Sequence, residues 1–169
     1  VFSYISPILL DETHASSLFV TCMLVLYGVG LAVGNYLSGR FADRNLSGAL
    51  IACLVATILL LVVFAATMQS ALIVAPVIFL WGISSFAIVP PLQALVVREA
   101  HDAPNLASAM NIGAFNLGNA FGAALGGGVI HLGLGLPAVA LAGAGTSAVG
   151  LVLVLLFQQS KKKAQLAAA

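Results

Sequence analysis

The sequence predicts an all-α membrane protein with five complete helical spans and one partial span before them. Three observations predict it. Apolar residues make up 62% of the 169 residues and charged residues 7%. A soluble domain carries about 25% charged residues, so this chain has too little charge to dress a soluble surface. Second, the apolar residues fall in continuous runs near the ~20 residues that a helix needs to cross a bilayer. Third, all basic residues lie in alternate gaps between those runs: Arg40 and Arg44, then Arg98, then Lys161, Lys162 and Lys163. The intervening gaps, Asp11-Glu12-Thr13-His14, Met68-Gln69-Ser70 and His131-Leu132-Gly133, carry no Lys or Arg. This is the positive-inside pattern, and it places the basic gaps and the C-terminus in the cytoplasm.

The runs follow in order. Residues 1–10 are apolar but only half a crossing long, so the chain reads as a fragment whose first helix is truncated. Complete spans are expected at 16–38, 47–67, 71–97, 106–130 and 136–157, with 158–169 as a cytoplasmic tail. Asp11, Thr13 and Ser16 are suited to capping the first complete helix, and Asn45 or Ser47 the second. Pro104-Asn105 opens the fourth, where Asp102 favours the positive end of the helix dipole, and the lysines follow the negative end of the fifth. Strands are excluded because the runs are continuous and far longer than the 9–11 residues of a barrel strand. Helices also satisfy their own backbone in hydrocarbon. Within the third run, Pro90-Pro91 removes two backbone donors, so a kink is expected there, serving either shape alone or a cavity-lining bend.

Two runs are rich in glycine: Gly30 and Gly34 in the first, Gly118, Gly122 and Gly126 in the fourth. Glycines four apart make a flat stripe that lets helix backbones approach, which is how helices associate where water-driven burial is absent. Amides lie in the same runs: Asn35, Asn111, Asn116 and Asn119. Polar groups in hydrocarbon are costly unless paired, so these face other helices or a wet cavity. Asn116 and Asn119 share a helix face.

Other classes fit poorly. The basic residues form no stripe for nucleic acid. Cys22 and Cys53 have no Cys or His partners at metal spacing and read as small packing residues. No secretory signal is visible. Gly82-Ile83-Ser84-Ser85 is a weak match to an intramembrane serine nucleophile, which would require a histidine at the same depth. No Asp, Glu, Lys or Arg lies at mid-depth in a complete span, so a proton-carrying carboxylate, if one exists, lies outside this chain. Neither a metal nor a cofactor is expected, and no enzymatic activity.

The loop Gly39-Arg40-Phe41-Ala42-Asp43-Arg44 resembles the G-x-x-x-D-R core of the cytoplasmic loop signature of the major facilitator superfamily. The usual Gly-Arg-Lys continuation is replaced by Leu46-Ser47-Gly48, which resembles the weaker echo between spans eight and nine more than the primary copy. Tyr4-Ile5-Ser6-Pro7, Gly34-Asn35-Tyr36-Leu37, Val89-Pro90-Pro91-Leu92-Gln93 and the stretch from Asn111 to Ala120 look like the arabinose-efflux-permease type of drug–proton antiporter.

The resemblance implies the C-terminal six-helix half of a twelve-span carrier, with spans seven (broken) to twelve, the other half completing a central cavity. It implies alternating access by rocking of the two halves. The partners implied are membrane lipid, the N-terminal half, a small organic substrate and protons, in a bacterial inner membrane. Tyr4, Trp81, Ser84, Ser85, Phe86 and Gln93 are nominated to line the cavity, by stacking or orienting a substrate. Gly39, Arg40, Asp43 and Arg44 form the nominated cytoplasmic gate, with Asp43 facing a helix N-terminus of the other half. The family's span-five signature has a proline after a glycine, which the stripe at Gly118–Gly126 lacks, so that stripe does not fix export polarity. The competing reading is a self-contained six-span homodimer acting as a channel or structural subunit.

Overall fold

Seven helices carry the chain in a computed structural model, which describes residues 1–42 and 45–167, leaving aside the side chains of 41, 42, 164, 165 and 167. After a 3-10 turn at Phe2–Tyr4 come α1 (Ile5–Asp11), α2 (Ser17–Ala42), α3 (Leu46–Thr67), α4 (Ala71–Phe86), α5 (Val89–Glu99), α6 (Pro104–His131) and α7 (Leu136–Ala167). No strand occurs among the described residues. Four stretches among them are long and apolar enough to cross a membrane: Ser17–Arg40, Leu46–Thr67, Ala71–Glu99 and Leu136–Lys163. At 28 residues α6 spans about 42 Å, but its asparagines and glycines leave it less apolar than those four.

Local chemistry sets the ends. Ser16 Oγ accepts from the Phe19 N–H at 3.3 Å, and Asn45 Oδ1 accepts from the Gly48 N–H at 2.9 Å. Each satisfies one orphan donor of a first turn. Pro104 begins α6, where its missing N–H costs nothing. Gly133, at φ +71°, ends α6 in the left-handed conformation, and its N–H bonds the Ile130 carbonyl at 2.9 Å. The third run is two helices. Neither Pro90 nor Pro91 offers an N–H to the preceding turn, so α4 ends at Phe86 and α5 starts with the prolines in its first turn. By contrast, α4 runs straight on through Pro76.

Two helices run further than their apolar runs. α2 continues to Ala42, and α7 continues past Phe157 through the lysines to Ala167. Gln, Lys and Ala are all good helix formers, so leaving the apolar region does not stop the helix.

Packing is closest between α2 and α4 and between α3 and α7. Glycine explains the first pair. A Cβ added at Gly30 would lie 2.6 Å from the Phe79 carbonyl oxygen, one at Gly34 would strike the Ile83 carbonyl, and one at Gly82 would lie 2.7 Å from the Tyr27 carbonyl. The two backbones therefore touch along this seam, as the small-residue rule requires. The core sits at the end of the bundle away from the basic gaps. It joins Ile5, Ile8 and Leu9 of α1 to Met23 and Tyr27 of α2, Phe64 of α3, Val74, Ile78 and Trp81 of α4, and Ala140 and Ala144 of α7.

Candidate functional site

A cleft of about 260 Å³ opens beside that core, lined by Phe2, Tyr27, Thr57, Trp81, Ser85, Asn119, Gly122, Gly126, Thr146 and Ser147 among others. Its wall is an aromatic ladder. The Phe2 ring lies 5.1 Å from Tyr27, Tyr27 lies 4.8 Å from Trp81, and Trp81 lies 6.1 Å from Phe64. Phe2 is exposed and Trp81 is buried, so the ladder runs from the surface inward. Ser85 stands beside the Tyr27 hydroxyl, and Asn119 presents an amide from α6. The cleft offers π faces, hydroxyls and an amide, and none of its lining residues is Asp, Glu, Lys, Arg or His. Such a lining suits an uncharged organic molecule that stacks and hydrogen-bonds.

The nominated cavity residues divide. Trp81 and Ser85 line the cleft. Ser84 is one turn-face away, buried, donating to the Trp81 carbonyl at 3.1 Å and accepting from Thr57 Oγ1 at 3.1 Å, so it ties α3 to α4. Tyr4 lies against α6: its hydroxyl donates to the Ala123 carbonyl at 2.8 Å and its ring covers Gly126. Gln93 is held at both ends of its amide, donating to Ser108 Oγ and accepting from Asn111 Nδ2, and so joins α5 to α6. Phe86 is exposed and does not line the cleft. Three of the six are therefore occupied by helix-to-helix contacts.

The glycines divide in the same way. Gly30 and Gly34 form the α2–α4 seam, and Gly126 receives the Tyr4 ring. Gly118 has no neighbour within 4 Å of an added Cβ, and neither has Gly122. Asn116 and Asn119 are exposed beside them, so this stretch of α6 is an open face rather than a packed one. Of the loop signature, Gly39 is free of close neighbours and the Arg40 guanidinium lies 5.0 Å above the Tyr36 ring. Asp43 and Arg44 lie outside the described residues. The sequence reading missed Tyr27, Phe2 and Thr57. Thr57 had a signal, as a hydroxyl in the middle of an otherwise apolar run.

The chain is thus an all-helical, charge-poor bundle with a small cleft among its helices that no Asp, Glu, Lys, Arg or His side chain lines. The sequence profile of the Major Facilitator Superfamily matches residues 1–169, and the chain belongs to that family. It is 48% identical over 165 residues to the inner membrane transport protein YdhP of Escherichia coli K12, covering 96% of this chain and 41% of the relative. The MFS-type transporter YtbD of Bacillus subtilis is 38% identical over 160 residues, 91% of this chain and 39% of its own. A Helicobacter pylori protein named "Probable sugar efflux transporter" is 37% identical over 138 residues, 79% of this chain and 34% of its own. The chain thus spans about two fifths of the length of the curated relatives it matches. No solved structure matches it.

Proposed function

We propose that this chain is the C-terminal half of a twelve-span secondary exporter of small organic solutes in a bacterial inner membrane, driven by proton antiport with alternating access and with its C-terminus in the cytoplasm. The observation that carries the reading is the cleft, where the exposed Phe2 ring offers a stacking face in one lining with Trp81, Ser85 and Asn119. The open face of α6 at Asn116, Gly118 and Gly122 fits the role of a surface for the N-terminal half, since glycine and amide faces are what membrane helices use to meet. The relatives named as efflux and inner-membrane transport proteins support export and location. The span residues of this chain include no mid-depth carboxylate, so the reading assigns proton carriage to the other half. The substrate class it favours is uncharged and hydroxyl-bearing or flat, a sugar-like or aromatic solute.

Efflux from everted vesicles containing the full-length protein tests this. Trp81→Ala and Ser85→Ala are expected to lower transport of a responsive solute at least tenfold at normal expression. Unchanged transport by both variants removes the cleft from the mechanism.

A further inference from the structure

A second cavity lies at the opposite end of the bundle, at the basic gaps. It is an apolar groove of about 370 Å³ between α3, α5 and α7, lined by Leu50, Leu92, Leu95, Val96, three apolar residues of α7 and, at its rim, Glu99 and Gln158.

 From α7 these are Leu153, Val154 and Phe157. Leu153 and Phe157 are exposed, so the groove opens sideways toward lipid. Nothing among the described residues fills it.

The rim is polar and basic. Val154, Gln158 and Lys162 recur at spacing four on α7, so the helix face that lines the groove leads from an apolar wall through an amide to an ammonium. The Gln158 side-chain nitrogen is buried and has no hydrogen-bond partner among the described residues. A buried donor left unpaired is costly, and so marks a place where an acceptor belongs. Glu99, the acidic group on the rim, is neutralised by its ion pair with Lys161. Arg98, next to Glu99, and Lys162, one turn beyond Gln158, are exposed and bring positive charge close to the rim.

We propose that this groove binds an anionic phospholipid. One acyl chain lies along Leu92, Leu95 and Val154, a glycerol ester carbonyl accepts from the Gln158 amide, and the phosphate sits against Lys162 and Arg98. A basic pocket between membrane helices at the level of the headgroups is the arrangement that selects such lipids. The inference rests on the membrane placement of these helices and not on the exporter reading, because lipid retention is read without any transport.

The test uses the purified full-length protein and native mass spectrometry in an equimolar mixture of palmitoyl-oleoyl phosphatidylglycerol and palmitoyl-oleoyl phosphatidylcholine. The wild type is expected to retain phosphatidylglycerol several-fold over phosphatidylcholine. Lys162→Gln is expected to lower that retention by about fivefold, the effect of one cation near the headgroups. Lys162 is exposed, so the variant does not put folding at stake. Leu95→Trp, which fills the groove and keeps every charge, is expected to reduce retention as well. Equal retention of the two lipids by the wild type overturns the proposal, as does full retention by Lys162→Gln. Loss in Lys162→Gln without loss in a folded Leu95→Trp overturns the groove as the site.

Discussion

The hydroxyl of Tyr4 donates to the carbonyl of Ala123 at 2.8 Å, across 119 residues of sequence, with its ring resting on Gly126. The short helix at the start of the chain is thereby fastened to the middle of α6. Tyr4→Phe keeps the ring and loses the bond. It is expected to cost about 1 kcal/mol in the full-length protein, within the usual range for one hydrogen bond, and to leave the fold intact. Gly126→Val drives the ring out, since even a Cβ there would lie 2.5 Å from Tyr4 Cε2. A thermal melt in detergent checks the order, with Gly126→Val the more damaging.

Glycines that look alike in the sequence are expected to behave differently. Gly34→Leu places atoms into the Ile83 carbonyl, so it should reduce the yield of folded protein. A Cβ added at Gly118 has no neighbour within 4 Å among the described residues, so Gly118→Leu meets no backbone there. Under the proposed function it spoils the fit to the N-terminal half, giving full expression and impaired transport. Normal transport by Gly118→Leu counts against that face as a contact between halves.

Gln93 and Asn111 form one unit with Ser108. Removing one member strands the others, so the two alanine variants should be non-additive. A double-mutant cycle is expected to give a coupling of roughly 0.5–2 kcal/mol, as for residues in one hydrogen-bond network. Additive losses, or a change in substrate preference without a change in stability, would favour a direct contact between Gln93 and the transported molecule.

Ser38 has a buried hydroxyl with no partner among the described residues. Its replacement by alanine removes a desolvation cost and creates little void. Ser38→Ala is expected to be neutral or to stabilise by up to about 1 kcal/mol, read as an unchanged or higher melting temperature.

The residues nominated as a cytoplasmic gate give a functional prediction. Asp43→Asn keeps the size of the side chain and removes its charge. If Asp43 meets the positive end of a helix in the other half, transport falls while expression holds. An anion at such an end contributes about 0.3–1 kcal/mol when exposed, so a loss of a few-fold is expected in an efflux assay. Arg40 stacked over Tyr36 makes a useful comparison. Arg40→Gln loses that stacking as well as its charge.

The all-helical class was legible because hydrophobicity is a one-dimensional signal, and four of the five expected complete runs are helical stretches long and apolar enough for the bilayer among the described residues. The break at Pro90-Pro91 was legible for the same reason, because a missing N–H acts on the nearest turn. The extension of α7 to Ala167 was not, since the end of an apolar run marks where the membrane stops and not where the helix stops. Of the nominated cavity residues, Trp81 and Ser85 line the cleft, whereas Tyr4, Ser84 and Gln93 are engaged by Ala123, Thr57 and Asn111 on other helices. A residue's partner on another helix cannot be read from spacing along its own. Tyr27 escaped notice because it sits among glycines in a span whose other signals all concern backbone contact.

The break between α4 and α5 divides one membrane crossing into two rods with different allegiances. The upper rod is bolted to α2 by glycine-to-backbone contact. The lower rod is tethered to α6 by the Gln93 amide. The lower rod also packs against α2 and α3, while the upper rod holds Trp81 between Tyr27 and Phe64. The crossing is built as an elbow: its upper arm is seated on α2, and its forearm carries the amide link to α6.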